Sequence, residues 1–528
     1  MARALQYLCF RGLKEVFYWH RKVVRWFIGI VGGALVGLYV ALHLLSRAPV
    51  LQAKLIETLN ENMDAEVELQ SFVVDSFPTL RIEGTGLKLR LKQQQNPSPF
   101  IEVRHFEVRG GILGLLRRQR RFSSVDLEGL RITIPPRTPN DKEEGAKAAH
   151  VVEGPVLIDR VTSRDAQLII VPRNPAKDPK VWTIHGLELE QVGFNRSMPF
   201  TATLTNPIPQ GEIATKGSFG PWMKGDPGRT AVNGHYTFDR ADLGTIDGIG
   251  GILKSVGDFK GQLDEIDVRG HTSTPDFRID VGGAAVPLET DFHAVVDGTN
   301  GDTYLKQVNA KLQDTPITAS GAIESQKGVK GRTIRLDVKI EDGRIQDVLR
   351  LAVKAPNPVM LGRIALEAKL LLPPRKAKVI DKLQLDGRFA LEGTHFTDAS
   401  VQKQLATLSQ RAQGKNPEES SAKIESNMSG RFVLRDGTLR LQPVVFGVPG
   451  ATIRLNGAYG LRSEQVDFAG TFAMTASVSE AVGGIKGFFL KPFDPMFRQD
   501  GKGAVIPITI TGPREQPKFG VEWGKVLK

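Results

Sequence analysis

The sequence predicts a mainly β protein whose folded body follows a single N-terminal transmembrane helix. Short segments in which apolar and polar residues alternate recur along most of the 528 residues, as expected for antiparallel strands with one apolar face. Glycine and proline, with 55 and 31 residues, separate these segments in the way that turns do. Residues 26–45 carry no formal charge and are long enough to cross a bilayer as a helix.

Charges beside the hydrophobic segment predict its orientation. Residues 1–25 contain six Lys or Arg residues and one Glu, whereas the first stretch beyond the segment offers only Arg47 and Lys54. By the positive-inside rule, residues 1–25 form a cytoplasmic basic head, residues 26–46 form the transmembrane helix, and the rest is exported. A cleaved signal peptide is the alternative interpretation. We favour the retained anchor because the apolar run is long and residues 46–49 make a poor cleavage site.

Composition excludes several classes of function for the exported part. The lone cysteine, Cys9, precedes the predicted anchor, so the exported part has neither disulfides nor thiolate metal sites. The net charge is +12, of which the basic head supplies +5. The remaining +7 belongs to about 500 residues in which positive and negative side chains are interspersed, so we expect no nucleic-acid partner. The nine histidines are scattered without metal-ligand spacing. We therefore expect no metal, no cofactor and no enzymatic activity.

The β elements are predicted from alternation with a period of two. Strand patterns occur at 86–92, 130–134, 186–190, 277–281, 334–340, 364–370 and 505–510. An Asp436-Gly437 pair between two such runs predicts a tight hairpin. Residues 297–302 carry oxygens that could hold calcium, but a polar hairpin tip explains them without an ion. The body therefore reads as a β meander.

Helical patterns and linkers divide this meander. Apolar spacing predicts helices at 111–121, at 399–413, where Asp398 caps the start and Gly414 ends the helix, and at 479–498. A proline-rich and charged stretch predicts a linker at 139–154. The predicted domains are an N-terminal β unit at 49–138 and a C-terminal β body at 155–528, which contains the helix near 399–413.

A cluster of arginines ends the first helical pattern and is a candidate contact for lipid head groups. The cluster consists of Arg117, Arg118, Arg120 and Arg121. Guanidinium groups at the end of a short apolar helix can rest on anionic head groups. The alternative interpretation is a solvated helix end.

Glycine-punctuated strands and turns in this chain resemble the AsmA-like family of Gram-negative envelope proteins. The resemblance spans nearly the whole chain and is strongest in its second half. It rests on residues 127–130, 234–243, 248–257, 274–277, 296–303, 408–414, 446–451 and 517–520. These patterns identify an architecture and carry no catalytic signature, so no site residues transfer from them.

The resemblance implies a long, twisted antiparallel sheet curled into an open, taco-like groove, similar to bridge-like proteins that move lipids between membranes. It places the chain in the bacterial inner membrane, with the N-terminus cytoplasmic and the β body periplasmic. The implied partners are phospholipid and the inner membrane, with outer-membrane or envelope proteins as further candidates. Strands with one apolar face are compatible with a groove that shelters acyl chains.

The leading functional hypothesis is that the groove binds phospholipid acyl chains and assists their transport to the outer membrane. Candidate lining residues are Leu87, Leu89, Leu91, Ile334, Leu336, Val338, Ile364 and Leu366. Ordinary core packing is the alternative interpretation of each. A non-catalytic scaffold that aids assembly of outer-membrane proteins or polysaccharide is the alternative function, and an exported hydrolase is a third.

Overall fold

A computed structural model describes the chain as strands with a few short helices. The described residues are 65–75, 80–91, 99, 101–111, 120–134, 156–170, 180–193, 196–221, 223, 227–280, 282–325, 329, 331–353, 355–374, 377–415, 424–477, 503–514 and 516–521. The predicted transmembrane residues 26–46 and the predicted helix at 479–498 lie outside this set. Within it, no helix is long and apolar enough to cross a bilayer.

The chain divides into two compact units. Unit 1 comprises residues 1–204 and 218–226, and unit 2 comprises residues 205–217 and 227–528. The predicted linker at 139–154 lies outside the described residues, and the strands on either side of it pair with each other inside unit 1. The domain boundaries deduced from the sequence stay a prediction.

Unit 1 is built from strands β1 to β8. Their bounds are β1 (Ala65–Glu68), β2 (Ser71–Asp75), β3 (Leu80–Leu91), β4 (Ile101–Gly110), β5 (Arg120–Glu128), β6 (Arg131–Ile134), β7 (Val156–Ile170) and β8 (Lys180–Val192). β3 pairs with β1, β2 and β4, and β4 pairs with β5 and β6. In β3 the apolar alternation changes phase at Gly86, whose φ of +66° is a conformation that glycine adopts without strain.

One connection in unit 1 departs from the antiparallel meander that the sequence predicts. β5 and β6 both pair with β7 in the parallel sense, and β7 then pairs with β8 in the antiparallel sense. A parallel pair requires a long crossover connection, and 21 residues separate the end of β6 at Ile134 from the start of β7 at Val156. The prediction of an entirely antiparallel sheet is therefore wrong at this point.

Two further strands, β9 (Met198–Pro207) and β10 (Gln210–Phe219), precede the long meander of unit 2; most of β9 belongs to unit 1 and most of β10 to unit 2. The meander consists of β11 (Ala231–Asp242), β12 (Ile249–Gly250), β13 (Ile252–Gln262), β14 (Glu265–Ile279), β15 (Val286–Val296), β16 (Thr303–Leu312), β17 (Thr315–Ser325), β18 (Arg332–Arg344), β19 (Met360–Leu372), β20 (Gln384–Phe396), β21 (Ser426–Arg435), β22 (Thr438–Val448), β23 (Ala451–Gly460), β24 (Gln465–Met474), β25 (Ala504–Pro513) and β26 (Lys518–Val521).

From β13 to β26 each strand of unit 2 pairs antiparallel with the next, while β11 pairs with β13 and β12 with β14. The hairpin predicted at Asp436-Gly437 joins β21 to β22, and both residues have positive φ, as a tight two-residue turn requires. The loop at 297–302 is a hairpin tip in which the Asp297 carboxylate accepts hydrogen bonds from Thr299 and Asn300.

Three helical insertions of unit 2 lie where strands that run in the same direction end, and we call this side of the sheet the upper edge. They are a 3-10 turn (Leu243–Thr245), α1 (Ile345–Ala352) and α3 (Ala399–Ala412), and they follow β11, β18 and β20, which run in the same direction. The short α2 (Val379–Lys382) lies at the opposite edge. Asp398 accepts hydrogen bonds from the backbone of Ser400 and Val401 at the start of α3, and Gly414 follows its end with positive φ.

Buried core in unit 2 is concentrated below these helices. Under α1 the cluster consists of Ile340, Ile345, Met360, Ile364 and Leu391. Under α3 it consists of Ala412, Val448 and Ala451, with Leu405 and Phe446 packed against it. Asp347 anchors α1, because its buried carboxylate accepts a hydrogen bond from Thr315 Oγ1 at 2.9 Å and one from the backbone of Asp314.

The polar face of unit 1 is held by a buried acid. The Glu107 carboxylate accepts hydrogen bonds from Arg109 Nε at 2.5 Å and Arg81 Nε at 2.6 Å. Hydrogen bonds and charge from Arg109 and Arg81 outweigh desolvation and lower the pKa of Glu107 to about 2. This triad joins β3 to β4.

Replacing Thr315 by Val should loosen α1. The substitution removes the hydroxyl donor to the buried Asp347 carboxylate, a loss that we expect to cost about 2 kcal/mol. Hydrogen exchange of the α1 amides should accelerate, whereas Thr318→Val, on an exposed face of the same strand, should leave it unchanged. Equal exchange in both variants would contradict the anchoring role.

Acid should weaken unit 1 through Glu107. Because the pKa is lowered from 4.5 to about 2 on folding, the ionised carboxylate stabilises the fold above pH 4.5. That stabilisation is lost as the pH falls from 4.5 toward 2. Hydrogen exchange in β3 and β4, corrected for intrinsic rates, should rise over this range in the wild-type protein. In Glu107→Gln the exchange should already be fast at pH 6 and should change less on acidification.

Candidate functional site

One face of the unit 2 sheet is apolar across consecutive strands, because apolar residues of neighbouring strands fall opposite one another. Along one such row, Leu336 of β18 lies opposite Leu370 of β19, which lies opposite Leu385 of β20. The alternate residues, such as Asp337 and Lys369, form a charged face. Most apolar side chains away from the upper edge are only half-buried. The sheet therefore presents an apolar surface that its own core does not fully close.

On this apolar face one row of small or medium side chains lies between two rows of mostly larger ones, and we call these three rows the furrow. Its floor is one row of small or medium residues in direct register: Val308, Ala319, Val338, Ala368 and Gly387. Larger residues of the adjacent rows form the walls: Leu305, Leu336, Leu370 and Leu385 on one side, and Ile317, Ile340, Leu366 and Phe389 on the other. Neither buried cluster includes a floor residue, but the second wall adjoins the core: Ile340 belongs to the cluster under α1, and Ile317, Leu366 and Phe389 pack against it.

Aromatic rings at both ends of the furrow lie over glycines of the paired strand. A methyl group on Gly270 would come within 2.9 Å of the ring of Phe292, and one on Gly387 within 2.7 Å of Phe432 Cζ. β20 and β21 form a reciprocal pair, since Gly387 faces Phe432 while Gly430 faces Phe389. Each ring occupies space that a side chain on the facing glycine would fill, so packing across the strands replaces the missing glycine side chain.

The same reciprocal pattern occurs at the other side of unit 2. Gly234 of β11 faces Phe259 of β13, and Tyr236 faces Gly257. Tyr236 donates or accepts a hydrogen bond with Ser255 Oγ at 3.1 Å, and burial raises the pKa of its phenol. Further single pairs of this kind are Gly457 with Phe468 and, in unit 1, Gly84 with Phe106.

Three of the five predicted lining residues of β18 and β19 lie in the furrow. Val338 is in the floor, Leu336 and Leu366 are in opposite walls, and Ile334 is one row further out, opposite Leu372. Ile364 differs, because it is 4% exposed and belongs to the buried cluster under α1. Core packing thus accounts for Ile364.

The predicted lining residues of β3 belong to unit 1 and are not part of the furrow. Leu89 is buried opposite Val67 on one side and Ile101 on the other, and Leu87 lies opposite Val103. The backbone of Leu91 pairs with Ala65. These residues start an apolar row that continues through Ile132, Leu168 and Trp182.

Half of the predicted arginine cluster lies in a strand. Arg120 and Arg121 begin β5, so the helix predicted at 111–121 does not extend to them. Arg121 Nε donates to Asp159 Oδ1 at 2.8 Å, which gives this guanidinium a partner within the protein. Arg117 and Arg118 lie outside the described residues.

The charged face behind the furrow carries an open depression of about 890 Å³, and the floor residues Ala319, Val338, Ala368 and Gly387 also contribute to its lining. Its lining includes Lys306, Lys369, Asp386, Arg388 and Arg431, and Arg388 is paired with Glu367 at 2.6 Å. Mixed charges suit solvent more than an apolar ligand, so we assign the candidate site to the opposite face. Within the described ranges no group of three or more His, Cys, Asp and Glu side chains is arranged to hold a metal ion.

Sequence reasoning missed the small residues of the furrow floor. Ala319, Ala368 and Gly387 attract no attention as candidate ligand contacts, because each is small and none carries chemistry. The available signal is a small residue with a large apolar residue two positions away on each side, as in Leu366, Ala368 and Leu370.

Filling a furrow glycine should destabilise unit 2. An added methyl group at Gly387 would lie 2.4 Å from the Glu367 carbonyl oxygen and 2.7 Å from the Phe432 ring, so we expect Gly387→Ala to cost about 2 kcal/mol through overpacking. Gly447→Ala is the matched control, because nothing lies within 4 Å of its added methyl group. Urea unfolding should show a lower midpoint for Gly387→Ala alone. Equal midpoints would contradict the close approach of ring and glycine.

Comparisons with known proteins do not indicate a function for this chain, so the functional argument rests on its geometry and its sequence patterns. No family model, curated protein or solved structure matches the chain. The resemblance to the AsmA-like family stays a prediction from the residues that carry it.

Proposed function

We propose that the chain is an AsmA-like protein anchored in the inner membrane, and that its periplasmic β body binds phospholipid acyl chains and assists lipid transport to the outer membrane. The apolar face of unit 2, curled into a groove, is the proposed binding surface. The furrow is the part of this surface that would hold a chain. The half-buried state of the furrow in the free protein is the observation that carries the proposal.

The hydrophobic effect gives this surface a reason to bind acyl chains. Extended apolar faces exposed to water are unfavourable, and soluble proteins rarely leave a large one uncovered. Each methylene that moves from water onto such a surface contributes about 0.8 kcal/mol. Binding of this kind requires no directional contacts, so a lipid can slide along the row without breaking strong bonds.

The residue types in the floor of the furrow also favour an acyl chain over a protein as the binding partner. Val338, Ala319 and Ala368 offer apolar area without a deep pocket or an exposed aromatic anchor, whereas protein interfaces usually centre on buried aromatic or arginine side chains. A narrow channel between rows of leucine and isoleucine matches the cross-section of an acyl chain better than that of a peptide.

Mass spectrometry of lipids that co-purify with the full-length protein tests the proposal. Wild-type protein, exchanged into a lipid-free detergent, should retain phospholipid. The triple variant Leu336→Asp, Val338→Asp and Leu366→Asp should retain at least about tenfold less, because an acyl chain cannot pack against carboxylates without a large desolvation cost.

A matched control places three carboxylates on the charged face. Gln307→Asp, Thr318→Asp and Ser320→Asp alter residues of β16 and β17 whose side chains point away from the furrow, and this variant should retain lipid as the wild type does. Wild-type protein that is folded and free of lipid would contradict the proposal. Capture of envelope proteins by such lipid-free protein would favour the alternative scaffold function.

A further inference from the structure

A row of hydroxyl groups continues one wall of the furrow on the same apolar face, and we call it the hydroxyl row. Ser255 of β13 lies opposite Thr272 of β14, which lies opposite Thr290 of β15. Beyond Thr290 the row continues as Ala310 and Ile317. This row is therefore polar across β13–β15 and apolar from β16 onward.

Within the described residues, one member of the hydroxyl row has a hydrogen-bond partner in the protein and two do not. Ser255 is buried and shares a hydrogen bond with the Tyr236 hydroxyl at 3.1 Å. Thr272 and Thr290 are half-buried, and in the part of the chain that the structure describes, their hydroxyls have no protein partner. These two groups are free to bond a ligand or water.

Strand propensity alone would explain threonine here, but it does not explain the change of chemistry along the row. If acyl chains cover the face, a hydroxyl beneath them loses its water and needs a partner from the ligand. On the apolar face of β13 to β15, the residues that flank the hydroxyl row on its furrow side are Gly257, Gly270 and Phe292, none of which is charged. The hydroxyl groups are neutral hydrogen-bond donors and have no cation beside them. They therefore suit a neutral oxygen acceptor better than a charged phosphate.

We infer that Thr272 and Thr290, supported by Ser255, form a polar subsite for the ester carbonyl oxygens of a diacyl lipid. This inference rests on the proposed function and names the part of the ligand that the β13–β15 side would hold. The ester group sits at the hydroxyl row, the acyl chain enters the furrow beside Phe292, and the phosphate remains in solvent. From β16 to β20 the furrow spans about 19 Å at the usual strand spacing, which is comparable with the length of an extended acyl chain of a membrane lipid.

The test compares two lipids that differ only in the carbonyl oxygens. Diacyl phosphatidylglycerol and its diether counterpart are offered in equal amounts to the delipidated full-length protein in detergent, and the bound fraction of each is measured by native mass spectrometry. Wild-type protein should prefer the ester lipid by about tenfold, as expected for two hydrogen bonds between neutral groups. Thr272→Val with Thr290→Val should bind both lipids equally.

Two further variants separate the hydroxyl effect from shape and folding. Thr272→Ser with Thr290→Ser keeps the hydroxyls and should keep the preference. Thr318→Val with Thr511→Val changes two exposed threonines on the charged face and should behave like the wild type. Wild-type protein that binds both lipids without preference overturns the subsite and leaves the acyl-chain proposal intact. Wild-type protein that binds neither lipid overturns the proposed function itself.

Discussion

The alternation of side chains across a β sheet is the constraint on which unit 2 depends. Every second residue points to the same face, so a meander of many strands produces one continuous apolar surface that must be covered. α1 and α3 cover only the upper edge, where Ile364 and Ala412 are buried. Many residues of the remaining rows, including Leu336 and Val338, are left half-buried. This uneven coverage separates a region that stabilises the fold from a region that is available to a ligand.

Glycine and aromatic residues make that available region shallow instead of filled. In an ordinary core a phenylalanine would stand up from the sheet and meet a second layer. Here Phe432 and Phe292 lie over glycines of the neighbouring strands, so their area covers backbone and does not block the face. Together with Ala319 and Ala368 in the floor, this arrangement keeps an apolar surface open without removing its cross-strand packing.

Local sequence patterns predict where the strands are but not which strands pair with each other or which residues lie opposite one another. Alternation at 334–340 correctly indicates that Leu336 and Val338 share a face, because that follows from the strand period alone. The same alternation cannot separate Ile364 from Leu366, which are two residues apart, since only the distant placement of α1 buries the first. The parallel pairing of β5 with β7 and the ion pair of Arg121 with Asp159 likewise depend on contacts distant in sequence. Register between strands, which creates the furrow and the hydroxyl row, is a tertiary property.

The reciprocal glycine and aromatic pairs carry a consequence for how such chains diverge. A side chain added at Gly387 would meet the Glu367 carbonyl oxygen as well as the Phe432 ring, and one added at Gly430 would meet the Pro443 carbonyl oxygen as well as the Phe389 ring. A smaller residue in place of the ring relieves only one of the two contacts. Related chains that have lost overall sequence identity should therefore retain these glycines while the facing aromatic positions vary. Glycines in fixed register across adjacent strands would then trace common descent where residue-by-residue similarity no longer does.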